Sequence, residues 1–200
     1  MAVTPNYSWP VPVATDYVKD GWEAISDLGN AIDTTVATLG SGLTKINSFT
    51  LTGSSGQVIT GLEAGSRYRI LINAYASVNN EYMNMRFRQG ASDVTINYFG
   101  GTGYTASSGG VGVYYQVNNG SVLSLARMNN SANIDSFVSI DLFINALQNS
   151  AKINMQASAD SAYAVFGSFF NNDTATVDGV NIYPASGTFT GKITIYKYQD

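Results

Sequence analysis

The sequence predicts a mainly β protein: an N-terminal extended arm and a short helix, followed by an antiparallel, jelly-roll-like β-sandwich. Three observations carry this reading. Residues 15–39 hold the one clean helical pattern in the chain. From residue 46 onward, short runs of alternating polar and apolar residues recur between Gly-, Ser- and Asn-rich turns. Hydrophobic residues make up 44% of the 200-residue chain, yet charged residues only 12%, well below the roughly one quarter usual in soluble domains. A core is therefore within reach, while the surface must be built from Asn, Ser, Thr and Gln. That suits a sandwich with a neutral surface, or one that buries surface in an oligomer.

The arm comes first. Three of the four prolines stand at positions 5, 10 and 12. Proline fixes φ and biases the preceding residue toward extended conformations, so residues 1–14 read as an extended arm. Tyr7, Trp9, Val11 and Val13 alternate along it. Such an arm is stable only when laid in a groove of something else, which makes Tyr7, Trp9, Pro10, Val11 and Pro12 candidate attachment residues.

Residues 15–42 read as an amphipathic helix. Thr15 or Asp16 can cap it, with Asp16 and Asp20 in the first turn. Val18, Trp22, Ile25, Ile32, Val36 and Leu39 recur at heptad spacing, interrupted at Gly29. Gly40 and Gly42 supply a stop. A helix of this length is marginal alone, so the row predicts either a trimeric coiled coil or packing on the chain's own head.

The head spans 43–200. Strands are expected over 46–52, 67–76, 82–88, 93–99, 111–117, 121–128, 137–144, 152–157, 162–170, 176–183 and 188–198. Asn118-Asn119-Gly120 is the strongest hairpin signal and is expected to join two of them. About ten strands without an intervening helix predict two packed antiparallel sheets. An immunoglobulin-like sandwich or a carbohydrate-binding module remains an alternative.

Function classes narrow by elimination. The chain has no cysteine and no histidine. That removes disulfides, zinc sites built on thiolate or imidazole, and nucleophiles served by His; no cofactor is expected. A net charge of −4 speaks against nucleic acid, which demands clustered basic residues. Arg67, Arg69, Arg86 and Arg88 form the tightest basic group, readable as an anionic-ligand stripe or as a solvated face paired with Glu63, Glu81 and Asp93. No stretch approaches the roughly 18–20 apolar residues of a membrane span, and the N-terminus lacks the pattern of a secretory signal. The expectation is a protein made soluble in the cytoplasm, without membrane insertion.

Candidate chemistry is sparse. The Gly-rich segment 100–110 lacks the ending of a phosphate loop; it reads as a loop between strands that displays Tyr104 to a ligand. Carboxylate pairs such as Asp135 with Asp141, or Asp173 with Asp178, could serve a glycosidase, though turn chemistry explains them as well. Neither these nor a calcium site near 171–178 has diagnostic spacing. Tyr is abundant, with Tyr114 and Tyr115 adjacent. Exposed Tyr with Asn and Ser suits stacking on sugars and equally suits an oligomer interface. Asn119-Gly120-Ser121 matches a glycosylation acceptor but reads better as a turn.

The string Trp9-Pro10-Val11-Pro12, Asp16-Tyr17-Val18-Lys19-Asp20-Gly21, Ala24-Ile25, Leu28-Gly29 and Ala31-Ile32-Asp33 resembles the N-terminus of virion proteins of tailed bacteriophages, of the minor tail or fibre-like kind. The resemblance covers about thirty residues. It implies attachment to the particle through the N-terminus, trimerisation, and an exposed head on the virion surface. No shaft repeat follows the helix, which favours a short knob or capsid spike over a long fibre. Phe189, Gly191, Ile193, Ile195, Tyr196 and Tyr198 resemble the last strand of trimeric jelly-roll heads of viral fibres, where that strand lies near the threefold axis. The expected partners are copies of the chain in a homotrimer, other virion proteins of tail or capsid, and a host-surface glycan. The expected role is non-enzymatic: a short trimeric fibre or tail knob. A capsid decoration or head fibre that stabilises the shell is one alternative, a glycan-degrading enzyme another.

Overall fold

Strict alternation dictates the central strands of the head. In β5 (Arg67–Ala76), Tyr68, Ile70, Ile72, Ala74 and Ala76 are buried on one side, while Arg67, Arg69, Leu71, Asn73 and Tyr75 lie on the other. In β11 (Ser136–Asn145), Val138, Ile140, Leu142 and Ile144 are buried and Phe137, Ser139, Asp141 and Phe143 face away. A period of two on a strand is what one wet and one dry face require.

A computed structural model describes residues 2–3, 10–11, 21–38, 42–106, 109–128, 130, 136–146, 150–159, 163–171 and 176–199. Two compact units emerge, 1–44 with 199–200, and 45–198.

In the first unit, β1 (Ala2–Val3) pairs antiparallel with β2 (Pro10–Val11), Val3 opposite Pro10. The predicted arm is thus extended at 10–11, where it pairs with residues 2–3 of the same chain. The helix α1 runs Gly21–Thr38 with Glu23 in its first turn, where a carboxylate complements the helix dipole. Thr15, Asp16 and Asp20, expected at its start, lie outside the described residues, as does Gly40.

The head is a sandwich of two antiparallel sheets. The larger has eight strands. They are β3 (Leu43–Ser54), β15 (Phe189–Tyr198), β5, β11, β12 (Ser150–Ala159), β13 (Tyr163–Asn171), β8 (Tyr98–Ala106) and β9 (Val111–Gly120), in that order. The smaller comprises β10 (Leu123–Met128), β6 (Glu81–Gln89), β14 (Gly179–Pro184) and β4 (Gln57–Thr60), with the short β7 (Ser92–Asp93) on β6. One continuous core lies between them. Ile70, Ile72, Val138, Ile140, Ile153, Ile193 and Ile195 from the large sheet meet Met83, Met85, Phe87, Leu123, Leu125, Val180 and Ile182 from the small one.

Two expectations are corrected here. Asn118-Asn119-Gly120 is not a hairpin turn. Gly120 pairs with Tyr98 and Asn118 with Phe99, so Asn119 is the extra residue of a bulge within β9. The chain then crosses to the other sheet, where β10 pairs with β6. Segment 100–110 is not one loop: residues 98–106 form β8, held between β13 and β9. Gly lowers intrinsic strand preference, but a strand with two hydrogen-bonded neighbours gains its order from pairing rather than from side chains. The short β4 was not expected at all.

Candidate functional site

The outward face of the large sheet carries the richest chemistry among the described residues. Register sets it out in rows that cross the strands. One row runs Arg69, Asp141, Asn154, Ser168 and Gly101, each opposite the next on β5, β11, β12, β13 and β8. The adjacent row runs Leu71, Ser139, Gln156, Phe166 and Gly103 on the same strands. With strands about 4.8 Å apart, each row spans roughly 19 Å.

A hollow of about 600 Å³ opens over these rows, lined chiefly by Arg69, Ser139, Asp141, Asn154, Gln156 and Ser168, with Phe166 at its side. Glycines at 101 and 103 add no side chain to it. A second hollow of about 500 Å³ adjoins it, shares Ser139, Gln156 and Phe166, and reaches Phe137 and Ser158. Phe166 stands between the two.

The polar row is prearranged. Arg69 Nε and Nη2 donate to Asp141 Oδ1 and Oδ2 at 2.9 and 3.0 Å. Tyr198 adds its hydroxyl to Oδ1 at 2.6 Å. The Tyr198 ring lies under two guanidinium groups, Arg67 at 4.8 Å and Arg69 at 5.6 Å from its centroid. The hydrogen bond from Arg69 lowers the Asp141 pKa against the opposing effect of burial, with help from Tyr198. Asp141 is therefore a carboxylate at neutral pH, and Arg69 balances its charge. Oδ2 accepts one bond and retains acceptor capacity. Ser168 Oγ donates to Asn154 Oδ1 at 2.7 Å, so the Asn154 side chain has its amide hydrogens to offer a ligand. Together these groups present donors and acceptors in alternation, and among the described residues the groove lining pairs its one cation, Arg69, with its one carboxylate, Asp141.

Aromatic rings flank the polar row. Phe166 is 53% exposed and Phe137 45%. On the other side, Phe99 and Phe170 are cross-strand partners whose rings stack with centroids 5.3 Å apart.

Of the residues predicted from sequence, Arg69 of the basic group and Asp141 of the carboxylate pair line this groove; the others fall elsewhere. Tyr104 lies in β8, not in a loop, and packs half-buried against the core with its ring beside Gly112. Tyr7, Trp9 and Pro12 lie outside the described residues, while Pro10 and Val11 form β2. Of the heptad row, Val18 and Leu39 are outside the described residues. Trp22 and Val36 are within the helix, Ile25 is 66% exposed and Ile32 is half-buried. The arginine stripe is divided: Arg67 and Arg69 lie on β5, Arg86 and Arg88 on β6 of the other sheet. Arg88 pairs with Asp93 at 2.5 Å. Arg86 donates to the Ser121 carbonyl at 3.0 Å and lies over Tyr183. Glu63 pairs with Lys197 instead of an arginine. Asp135 and Asp173 lie outside the described residues. Asp178 accepts the Gly90 N–H on both oxygens, a turn-closing role. No group of three or more His, Cys, Asp or Glu positioned for a metal occurs among the described residues, and no described helix is long and apolar enough to cross a membrane.

Asn154, Gln156, Phe166 and Ser168 were missed as site residues. Their parity on each strand was visible, but only the cross-strand register brings them together.

No known family model matches this sequence, and no curated protein matches it. Among solved structures, the chain is similar to peanut lectin in complex with a nine-residue peptide. Identity is 5% over 78% of this chain and 88% of that one, with a TM-score of 0.25.

Proposed function

We propose that this chain is a non-enzymatic virion surface protein of a tailed bacteriophage, a short trimeric fibre or tail knob. Its N-terminal unit attaches to the particle, and its β head holds a host-surface glycan on the outward face of the large sheet. The observation that carries the adhesive role is the row of Arg69, Asp141, Asn154 and Ser168, preassembled by hydrogen bonds beside the exposed Phe166. Fixed polar groups beside an aromatic ring suit a sugar, which has hydroxyls around its edge and C–H faces above and below.

Catalysis fits the groove less well. Glycoside hydrolysis needs two carboxyl groups flanking the bond. Among the described residues the lining holds one, Asp141, and Arg69 already neutralises it. The phage assignment draws on the N-terminal motif from Trp9 to Asp33. The trimer draws on the heptad row, of which Ile25 leaves an apolar side chain in solvent.

Two measurements test the reading. Gold-labelled antibody against the full chain should mark the tail of intact particles. Label over the shell would instead support capsid decoration, and unlabelled particles would remove the virion assignment. The purified chain should bind host-surface glycans without releasing reducing ends; steady release would revive the hydrolase alternative.

A further inference from the structure

We infer that the ligand of the outward face is an uncharged oligosaccharide longer than a single sugar, laid across the strands so that Phe166 and Phe137 each support one ring while Asp141, Asn154 and Gln156 hold its hydroxyls. This deepens the adhesive reading above and rests on it.

Charge sets the chemical class. The cation best placed in the groove, Arg69, is taken up by Asp141 in a two-pronged ion pair. An acidic group seated against Asp141 would meet a like charge at contact in a partly desolvated site, which is costly; the flanking cations Arg67 and Lys152 stand one row away, opposite Phe143, outside the groove lining. A neutral sugar meets no such cost. It can donate to the remaining acceptor capacity of Asp141 Oδ2 and accept from the Arg69 and Asn154 N–H groups.

The aromatic spacing sets the length. Phe166 is the cross-strand partner of Gly103, and a β-carbon at Gly103 would lie 2.9 Å from Phe166 Cζ. The ring therefore lies over the glycine backbone, with half its surface left to solvent. Phe137 stands two strands away and one side-chain step along, since Ser158 and Ala164 continue its row. Strand geometry puts the two positions roughly 12 Å apart. That exceeds one pyranose ring and fits a short chain. The two hollows, meeting at Phe166 and Gln156, follow the same line.

The test is titration of the full chain, followed by NMR or calorimetry. The neutral probes are cello-, xylo-, malto- and β-1,3-gluco-oligosaccharides of graded length. Oligogalacturonates and sialyl-lactose serve as the acidic set. The expected result is binding within the neutral set that strengthens with length. Phe166→Ala should then weaken binding roughly tenfold, the scale of one aromatic contact. Phe137→Ala should weaken only the longer ligands. Both positions are exposed, so thermal melts of the variants should match the parent.

Preference for the acidic set would overturn the inference while leaving the adhesive role standing. Neutral binding that neither phenylalanine variant alters would place the glycan elsewhere on the head, with the same consequence. Binding of neither set would overturn both the inference and the adhesive reading. Loss of self-association in Phe166→Ala, without glycan binding by the parent, would mark the face as a contact between copies.

Discussion

Tyr198 donates its hydroxyl to Asp141 Oδ1 at 2.6 Å, on the same oxygen that receives Arg69 Nε. The last strand of the chain, β15, is thereby tied to β11 across β5. Arg69 holds the Asp141 pKa below the usual carboxylate range. A group whose folded pKa is depressed adds stability above its unfolded value, near 4, and loses it as pH falls through the folded value. Wild-type and Asp141→Asn should therefore differ in melting temperature at pH 7 and converge as the pH drops below about 4. Both side chains are 37% exposed, so the difference should be under about 1 kcal/mol. Equal melting curves at every pH would show that the pair contributes nothing to the fold.

Tyr98 gives a larger effect. Its ring is fully buried, its hydroxyl donates to the Val94 carbonyl at 3.0 Å, and it accepts the Phe87 N–H at 2.7 Å. Burial pushes its pKa far above the ordinary phenol value, so the proton stays in place through the whole working range. Tyr98→Phe keeps the packing and strands both backbone groups. The expected cost is about 1–3 kcal/mol, which lowers the melting temperature by roughly 3–10 °C in a chain of this size. A shift under one degree would mean that water or a rearranged loop replaces the hydroxyl.

Gly103 tests the floor of the groove. A methyl group there would press on Phe166 Cζ and Cε2 at 2.9 and 3.0 Å. The contacted atoms belong to a movable side chain, so Gly103→Ala should fold and melt within a few degrees of the parent while tilting the ring. Glycan affinity should fall several-fold in step with that tilt. Unchanged affinity would detach Phe166 from the binding surface.

The fold was largely legible because period-two burial is written locally. The 67–76 strand coincides with β5, and 137–144 falls one residue short of β11 at either end. What escaped was long-range. Asn118-Asn119-Gly120 carries the chemistry of a turn, yet pairing with Tyr98 and Phe99 makes it a bulge. Segment 98–106 has the glycines of a loop, yet two neighbouring strands hold it in a sheet. Arg69 and Asp141 could be named from the sequence, but their assembly into one site was illegible for the same reason. Asp141 and Asn154 are opposite each other only because β11 and β12 pair in one particular register, and a one-residue slip would send every outward side chain inward.

The N-terminal unit supplies the remaining prediction. Ile25 is 66% exposed on α1, between Glu23 and Asp27, which are also exposed. A trimer would bury one such side chain per subunit, each contributing about 1.5–3 kcal/mol. The heptad row as a whole predicts that sedimentation of the full chain gives a trimer at micromolar concentration. Ile25→Ser should shift it toward monomer without changing the melting of the head, because the helix belongs to a different compact unit from residues 45–198. A parent that sediments as a monomer would remove the coiled coil. A variant that stays trimeric would move the subunit contact to the head, where the exposed Phe143 and Phe170 on the large sheet are the next surfaces to substitute.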